Sequence, residues 1–354
     1  MRATTWLLIG AMVGACGSEN ALRGPVQVVP GPDAETSTTS STPTLALGAL
    51  AGRVCAPDGS TYLSLADVAL EPLDRPGEPL VTQSDGQGFF LVEDVPAGRW
   101  GLRITKGSFV VEQAVEVIEG ERTSVGGEDC VPVDPGNTSI AVVTGSFDHI
   151  EDVLDVLALE YDTYNGRAGT AYLDLLRDPD RLASYDIVFL NCGMGDQWRN
   201  HQAEINANLQ DYVRNGGSVY ASDWAYYLVE STWPATNDFH GNDSRFGAAA
   251  VGRAGQVQAT VLDPAMVELL DRSQANLRFD LGMWVAMVDA GPQAEVLIEG
   301  TYRWDELGQS GAQTGPLATR VREGDGTVVF TSFHNENQAT ADMAKLLQEI
   351  ILSL

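Results

Sequence analysis

Residues 218–230 read SVYASDWAYYLVE. A short run that suits a buried strand stops at a carboxylate, Asp223, and gives way to an apolar segment of helical character. The same grammar recurs along the second half of the chain. SIAVVTG (139–145) precedes an amphipathic run from about His149 to Leu159, and YDIVFLNCG (185–193) precedes a helix from about Glu204 to Arg214 that ends at Gly216-Gly217. GTVVFTSFHNENQ (326–338) feeds a terminal helix in ATADMAKLLQEIILSL. Short buried strands separated by helical segments predict an α/β doubly wound parallel sheet with right-handed crossovers over residues 139–354. The functional edge of such a sheet lies at the C-terminal ends of its strands. Those ends are Gly145, the turn from Asn191 to Gly195, Ser222-Asp223 and His334.

Residues 234–325 are less regular and rich in glycine, with strands expected at GQVQATVLD, FDLGMWVAMVDAG and AEVLIEGTYRW as later elements of the same domain. Upstream the pattern is different. From Leu50 to Val133, short β-branched runs are broken by Gly, Pro and Asp without helical periodicity, which predicts a small all-β sandwich over residues 49–133. Within it, TQSDGQGFFLVEDVPAGRWGLRI places an Asp-Gly turn before Phe89 and Phe90 and a Val-Pro-Ala-Gly corner before the next strand. This stretch resembles the carboxypeptidase regulatory-like, transthyretin-like domain, with Trp100 where that family usually has tyrosine. The resemblance implies a non-catalytic sandwich appended to other domains, and Asp85 and Asp94 read as turn-formers rather than calcium ligands.

The chain opens with Arg2, a short apolar run and small residues before Cys16, the layout of a secretory signal over residues 1–15. Val13-Gly14-Ala15-Cys16 resembles a bacterial lipobox, which implies lipidation of Cys16. Gly17 after the cysteine favours the outer membrane. An ordinary signal peptide beside a chance cysteine is the alternative. Residues 16–48 include a Ser/Thr/Pro-rich stretch that is expected to be a flexible tether, with a typical coil span of about 25–30 Å.

Composition narrows the partners. With 21 Lys+Arg against 49 Asp+Glu the formal charge is −28, a field that repels nucleic acid and anionic lipid surfaces. Membrane association is therefore expected through the lipid anchor alone, with an envelope ligand of unspecified class: carbohydrate, peptide or protein. In this secreted context Cys55 and Cys130, near the two ends of the sandwich, either form a disulfide or are two separate buried thiols. Cys192 is left over.

The second domain resembles the class I glutamine amidotransferase-like fold, flavodoxin-like in architecture, including relatives of the trehalose-utilisation protein. YDIVFLNCGMGD stands where that family has a strand and a turn that supplies oxyanion amides, which implies that role for Gly193 and Gly195. GGSVYASDWAYYLVE stands where active members carry a strand, a cysteine elbow and a helix. FTSFHNENQ stands where they carry the histidine and glutamate of a Cys-His-Glu triad, here His334 and Glu336. The elbow departs from the pattern: Asp223 takes the cysteine's place. A carboxylate cannot be activated by deprotonation as a thiol can, so glutamine hydrolysis is not expected.

Two functions remain in competition. One is a pseudoenzyme that serves as a binding or interaction module. The other is a hydrolase that uses Asp223, or Cys192, with His334 and Glu336, and it requires one of those side chains within about 4 Å of a His334 ring nitrogen beside an open pocket. Asp223 also reads as an ordinary helix N-cap, and Cys192 as a buried structural thiol. No cofactor is expected. A divalent cation is conceivable in NDFHGND, where Asp238, His240, Asn242 and Asp243 cluster. Aromatic residues near the strand ends are expected to line a pocket, with Trp224 beside the elbow and Trp198 and Trp233 the more exposed.

Overall fold

The computed structural model describes residues 46–354 except 128, 242–244, 307–308 and 337–338. Cys16, the signal segment, the tether up to residue 45 and Asp243 lie outside the described residues. The chain is mostly β, in several sheets with few helices. Among the described residues no helix is long and apolar enough to cross a membrane.

The first part consists of two four-stranded sheets. In one, Leu47–Cys55 pairs with Phe89–Pro96, Arg122–Val125 and Val131–Pro132; in the other, Leu80–Gln83, Asp67–Pro72, Gly98–Lys106 and Phe109–Val117 follow in that spatial order. Alternation along Gly98–Lys106 points Trp100, Leu102 and Ile104 inward, where they join Leu50, Val54, Phe90 and Val92 in a core. Trp100 keeps a polar handle, its Nε1 donating to Pro96 O at 2.9 Å. Asp85 acts as a turn-former: its Oδ1 accepts from the N–H of Gln87 and of Phe89, both at 2.9 Å. Cys55 and Cys130 are joined in a disulfide, with Cα atoms 5.9 Å apart. Closing a loop of 75 residues stabilises the fold by about 4 kcal/mol through the unfolded chain.

In the second part, Asp162–Tyr164, Ile140–Val143, Ile187–Leu190, Ser218–Ser222 and Gly326–Thr331 lie side by side in that order, each parallel to its neighbour. The middle strands are buried on both faces, which is why they read as unbroken apolar runs. The helix Ile150–Val156 is shorter than its pattern suggested, Tyr226–Thr232 begins slightly later than the segment WAYYLVE, and Gln202–Arg214 matches its expected length closely.

The reason the chain as a whole is mostly β lies beyond Trp233. Gln309–Glu323 runs antiparallel to Gly326–Thr331 and pairs in turn with Ala294–Glu306, and further antiparallel strands extend the same sheet. Of the strands expected there, Gly255–Val261 and Ala294–Glu306 form, whereas the run from Phe279 breaks into Trp284–Val285 and Met287–Ala290. That break leaves residues 280–283 as a loop over the end of the parallel strands.

The two parts touch through the C-terminal helix, Ala341–Leu352. Lys106, the last inward residue of its strand, pairs with Glu349 in the buried interface. Ser108 adds two bonds to the carbonyl of Leu354, from its N–H at 2.8 Å and its Oγ at 2.7 Å.

Candidate functional site

Ser218–Ser222 and Gly326–Thr331 are neighbours, so their C-terminal ends deliver Asp223 and His334 to the same place. Asp223 enters the following turn with φ +45°, a left-handed conformation that a non-glycine residue adopts rarely and that sharpens the change of direction at the strand end. Its side chain does not cap the helix that follows, contrary to the N-cap expectation. Instead Oδ1 accepts the Val285 N–H at 2.6 Å, and Oδ2 lies 3.4 Å from Nε2 of His334 and 3.5 Å from Sγ of Cys192. The distance condition set for a hydrolase is therefore met.

The electrostatics do not resemble those of an activated nucleophile. Cys192 is buried, and burial together with the Asp223 carboxylate pushes its thiol far above the ordinary range. Burial pulls the His334 imidazole down, but the hydrogen bond to Asp223 and the negative charges of Asp148, Asp223 and Glu336 outweigh it and raise its pKa to about 9. Nδ1 of His334, itself buried, has no hydrogen-bond partner among the described residues. The histidine–glutamate bond implied for a triad is thus not formed, although Glu336 lines the same cleft.

Asp148 is a member of the site that the sequence reading missed. It is fully buried in the loop after Ile140–Val143, where its Oδ2 accepts from Ser222 Oγ at 2.5 Å and its Oδ1 from the Asn335 N–H at 3.1 Å. Burial pushes its carboxyl up to about 6, against the positive charge of His334 and the bonds from Ser222 and Asn335. No local pattern marks Asp148, because its partners are distant in sequence. Ser222 Oγ also accepts the Cys192 N–H at 3.0 Å, so one hydroxyl ties the strand end to the neighbouring turn.

That turn approaches the loop after the first strand closely. A Cβ on Gly145 would lie 2.0 Å from the carbonyl oxygen of Cys192, and Gly193 has φ +83°. Of the two residues expected to supply oxyanion amides, Gly195 has its N–H committed to Gly166 O, and the N–H of Met194 between them donates to Asn191 O. Neither glycine lines the cleft.

The cleft has a volume of about 380 Å³. Its floor is Cys192, Asp223, His334 and Glu336, and its walls are mainly apolar, with Phe147 on one side and Phe279, Leu281, Met283 and Trp284 on the other. Trp224 lines it as expected, and its Nε1 donates to Met283 O at 2.6 Å. Together with the Val285 N–H to Asp223 bond, this fastens the 279–285 wall to the elbow. Trp198 and Trp233, expected to be exposed, are buried at 3% and 6% exposure: Trp198 packs on Tyr227, and Trp233 donates to Glu323.

Of the cation ligands expected in the 237–243 stretch, Asn242 and Asp243 lie outside the described residues. Asp238 is an exposed position of the strand Asn237–Phe239, while His240 is buried and stacked on Trp304 with ring centroids 4.4 Å apart. Among the described residues, the His, Cys, Asp or Glu side chains that do converge are Cys192, Asp223 and His334, with ligand atoms all within 4.8 Å of one another.

No protein-family model matches the chain, and no curated protein matches it. Solved structures align with part of the chain. They include cytoplasmic protein STM3548 from Salmonella typhimurium (12% identity, TM-score 0.38, 60% of this chain and 97% of that one) and cytoplasmic protein STM1381 from Salmonella typhimurium LT2 (11%, 0.38, 71% and 90%). PurLQS from Thermotoga maritima aligns at 12% identity and TM-score 0.36 over 60% of this chain and 97% of that one. At such scores these likenesses assign neither a family nor an activity.

Proposed function

We propose that this chain is a lipid-anchored envelope protein whose amidotransferase-like, flavodoxin-like second domain binds a small ligand in the cleft at its strand ends. The carboxypeptidase regulatory-like sandwich then serves as a spacer. The observation that carries the binding reading is the cleft itself: apolar walls over a floor in which the elbow residue is a carboxylate held by the Val285 N–H and by His334. Apolar, concave sites with a few convergent polar groups are the common form of small-molecule sites. The thiol on the floor, Cys192, is buried with its pKa pushed far up, and the Gly195 amide is already bonded to Gly166 O, which weighs against an activated nucleophile facing an oxyanion hole. A largely apolar ligand with a polar tip fits this arrangement.

The 3.4 Å approach of Asp223 to His334 and the strained elbow support a second reading, a hydrolase that forms an ester on Asp223. One experiment separates the two. A fragment library is screened by ligand-observed NMR and in parallel for hydrolysis of aryl esters, with the wild-type protein and the variants Met283→Asp, Asp223→Asn and His334→Ala. The binding reading expects fragments that Met283→Asp displaces and no turnover. Turnover abolished by both Asp223→Asn and His334→Ala would overturn it.

A further inference from the structure

We infer that Cys192, Asp223 and His334 form a site for a divalent zinc-class metal ion, bound through Sγ, Oδ2 and Nε2, with a fourth coordination position open to the cleft. The inference goes beyond the binding reading and needs only these three side chains. A tetrahedral ion with bonds of about 2.3 Å to sulfur and about 2.0 Å to oxygen and nitrogen holds its ligands about 3.5 Å (S to O) and about 3.3 Å (O to N) apart. The observed separations are 3.5 Å from Cys192 Sγ to Asp223 Oδ2 and 3.4 Å from Asp223 Oδ2 to His334 Nε2. Without a metal, the first distance is a thiol hydrogen bond and the second an aspartate–histidine ion pair; a shared ion accounts for both approaches to the same oxygen at once.

The donor set also fits by chemistry. Thiolate, imidazole and carboxylate together suit zinc and its neighbours rather than calcium or magnesium, which take oxygen ligands. Thiolate and carboxylate supply two negative charges against the ion's two positive ones, and the histidine binds neutral. As the metal bonds form, the thiol proton and the Nε2 proton leave to solvent. Three protein ligands with one open position is the arrangement of a reactive or ligand-accepting site, not of a closed structural one.

The surroundings supply an outer shell. Asp148 is held behind Ser222 and Asn335 with its charge acting on His334, and the buried Nδ1 of His334 has no partner among the described residues. A metal on Nε2 leaves the remaining imidazole proton on Nδ1. All three ligands line the cleft, where water or an electron-pair donor at the tip of a cleft ligand completes the coordination.

Cobalt(II) is the probe. Purified protein stripped with a chelator is titrated with Co²⁺ by calorimetry and by absorption, alongside Cys192→Ala, His334→Gln and, as a control outside the site, His240→Ala. One Co²⁺ per chain is expected, with a thiolate-to-cobalt charge-transfer band and tetrahedral d–d absorption. Both signals should persist in His240→Ala and be lost in Cys192→Ala, with affinity falling roughly 100-fold or more in His334→Gln. If circular dichroism shows that Cys192→Ala does not fold, the wild-type band and the His334→Gln affinity decide the matter. The inference is overturned if the wild type shows no thiolate band, if the band survives in folded Cys192→Ala, or if His334→Gln binds as tightly as wild type. Fragment binding by the chelated protein is read separately, so a failed metal site leaves the cleft reading standing and the reverse also holds.

Discussion

Oδ2 of Asp223 lies 3.4 Å from Nε2 of His334, and the two residues reach this contact from the ends of adjacent parallel strands. Asp223→Asn keeps the shape and the acceptor for the Val285 N–H but removes the charge that faces the imidazole. Breaking one side of a buried pair is expected to lower the unfolding free energy by about 3 kcal/mol. The double variant Asp223→Asn/His334→Gln, which removes both members of the pair, should recover part of that loss. Urea denaturation of the four proteins in chelator gives the coupling; additive single losses would show that the contact contributes nothing specific.

Lys106 and Glu349 form a second buried pair, across the interface between the first sheets and the C-terminal helix. Lys106 also donates to Ser64 O at 2.7 Å, so its ammonium is doubly held. Glu349→Gln strands that cation and should destabilise the protein by about 3 kcal/mol, while Lys106→Met/Glu349→Leu should approach wild-type stability. Thermal unfolding followed by circular dichroism checks both. A Glu349→Gln protein as stable as wild type would show that the pair does not hold the interface.

Much of the parallel sheet was legible because its strands are short apolar runs ended by turn residues, and the elbow carboxylate followed from its position at a strand end. The rest of the site depends on contacts that no local pattern marks. Asp148 acquires its role from Ser222 and Asn335, which are 74 and 187 residues away in sequence. The 279–285 wall was hidden because it is a loop within an apolar run, placed by Trp224 and Asp223. Gln309–Glu323 did not read as a strand, since Gly311, Gly315 and Pro316 interrupt it. The structure accommodates Pro316 opposite Glu299, next to an irregularity in the pairing. Trp198 and Trp233 misled through their polar sequence neighbours, for burial is decided by what a ring packs against.

Asp342 fastens the start of the C-terminal helix, its Oδ1 accepting from Arg272 at 2.5 Å and its Oδ2 from the Asn276 N–H at 2.8 Å. Burial pulls its carboxyl up, but these bonds and the Arg272 charge hold it below the usual range of 3.8. A carboxylate depressed in the folded state adds stability above the unfolded pKa and loses it as pH falls through the folded one. Asp342→Asn should therefore lower stability by about 1–2 kcal/mol at neutral pH. The gap from wild type should close as pH falls below about 4. Denaturant titrations from pH 7 to pH 3 read this directly, and a gap that stays constant with pH would show that charge is not involved.

Trp224 joins the elbow to the wall of the cleft through a single bond, Nε1 to Met283 O at 2.6 Å. Trp224→Phe preserves most of the ring packing against Tyr226 and removes only the donor, so the Met283 carbonyl turns to solvent and the wall loses one of its two hydrogen bonds to the elbow. Because the bond lies at the exposed rim, global stability should fall by only about 1 kcal/mol. The local effect should be larger. Amide exchange over residues 280–284 is expected to quicken while that of Ser218–Ser222 is unchanged, since local opening need not involve the core strands. Affinity for a cleft fragment should fall by about tenfold, the equivalent of roughly 1.4 kcal/mol, because the ligand then has to order the wall it binds. Wild-type exchange in 280–284 in this variant would show that the Trp224 bond does not hold the wall in place.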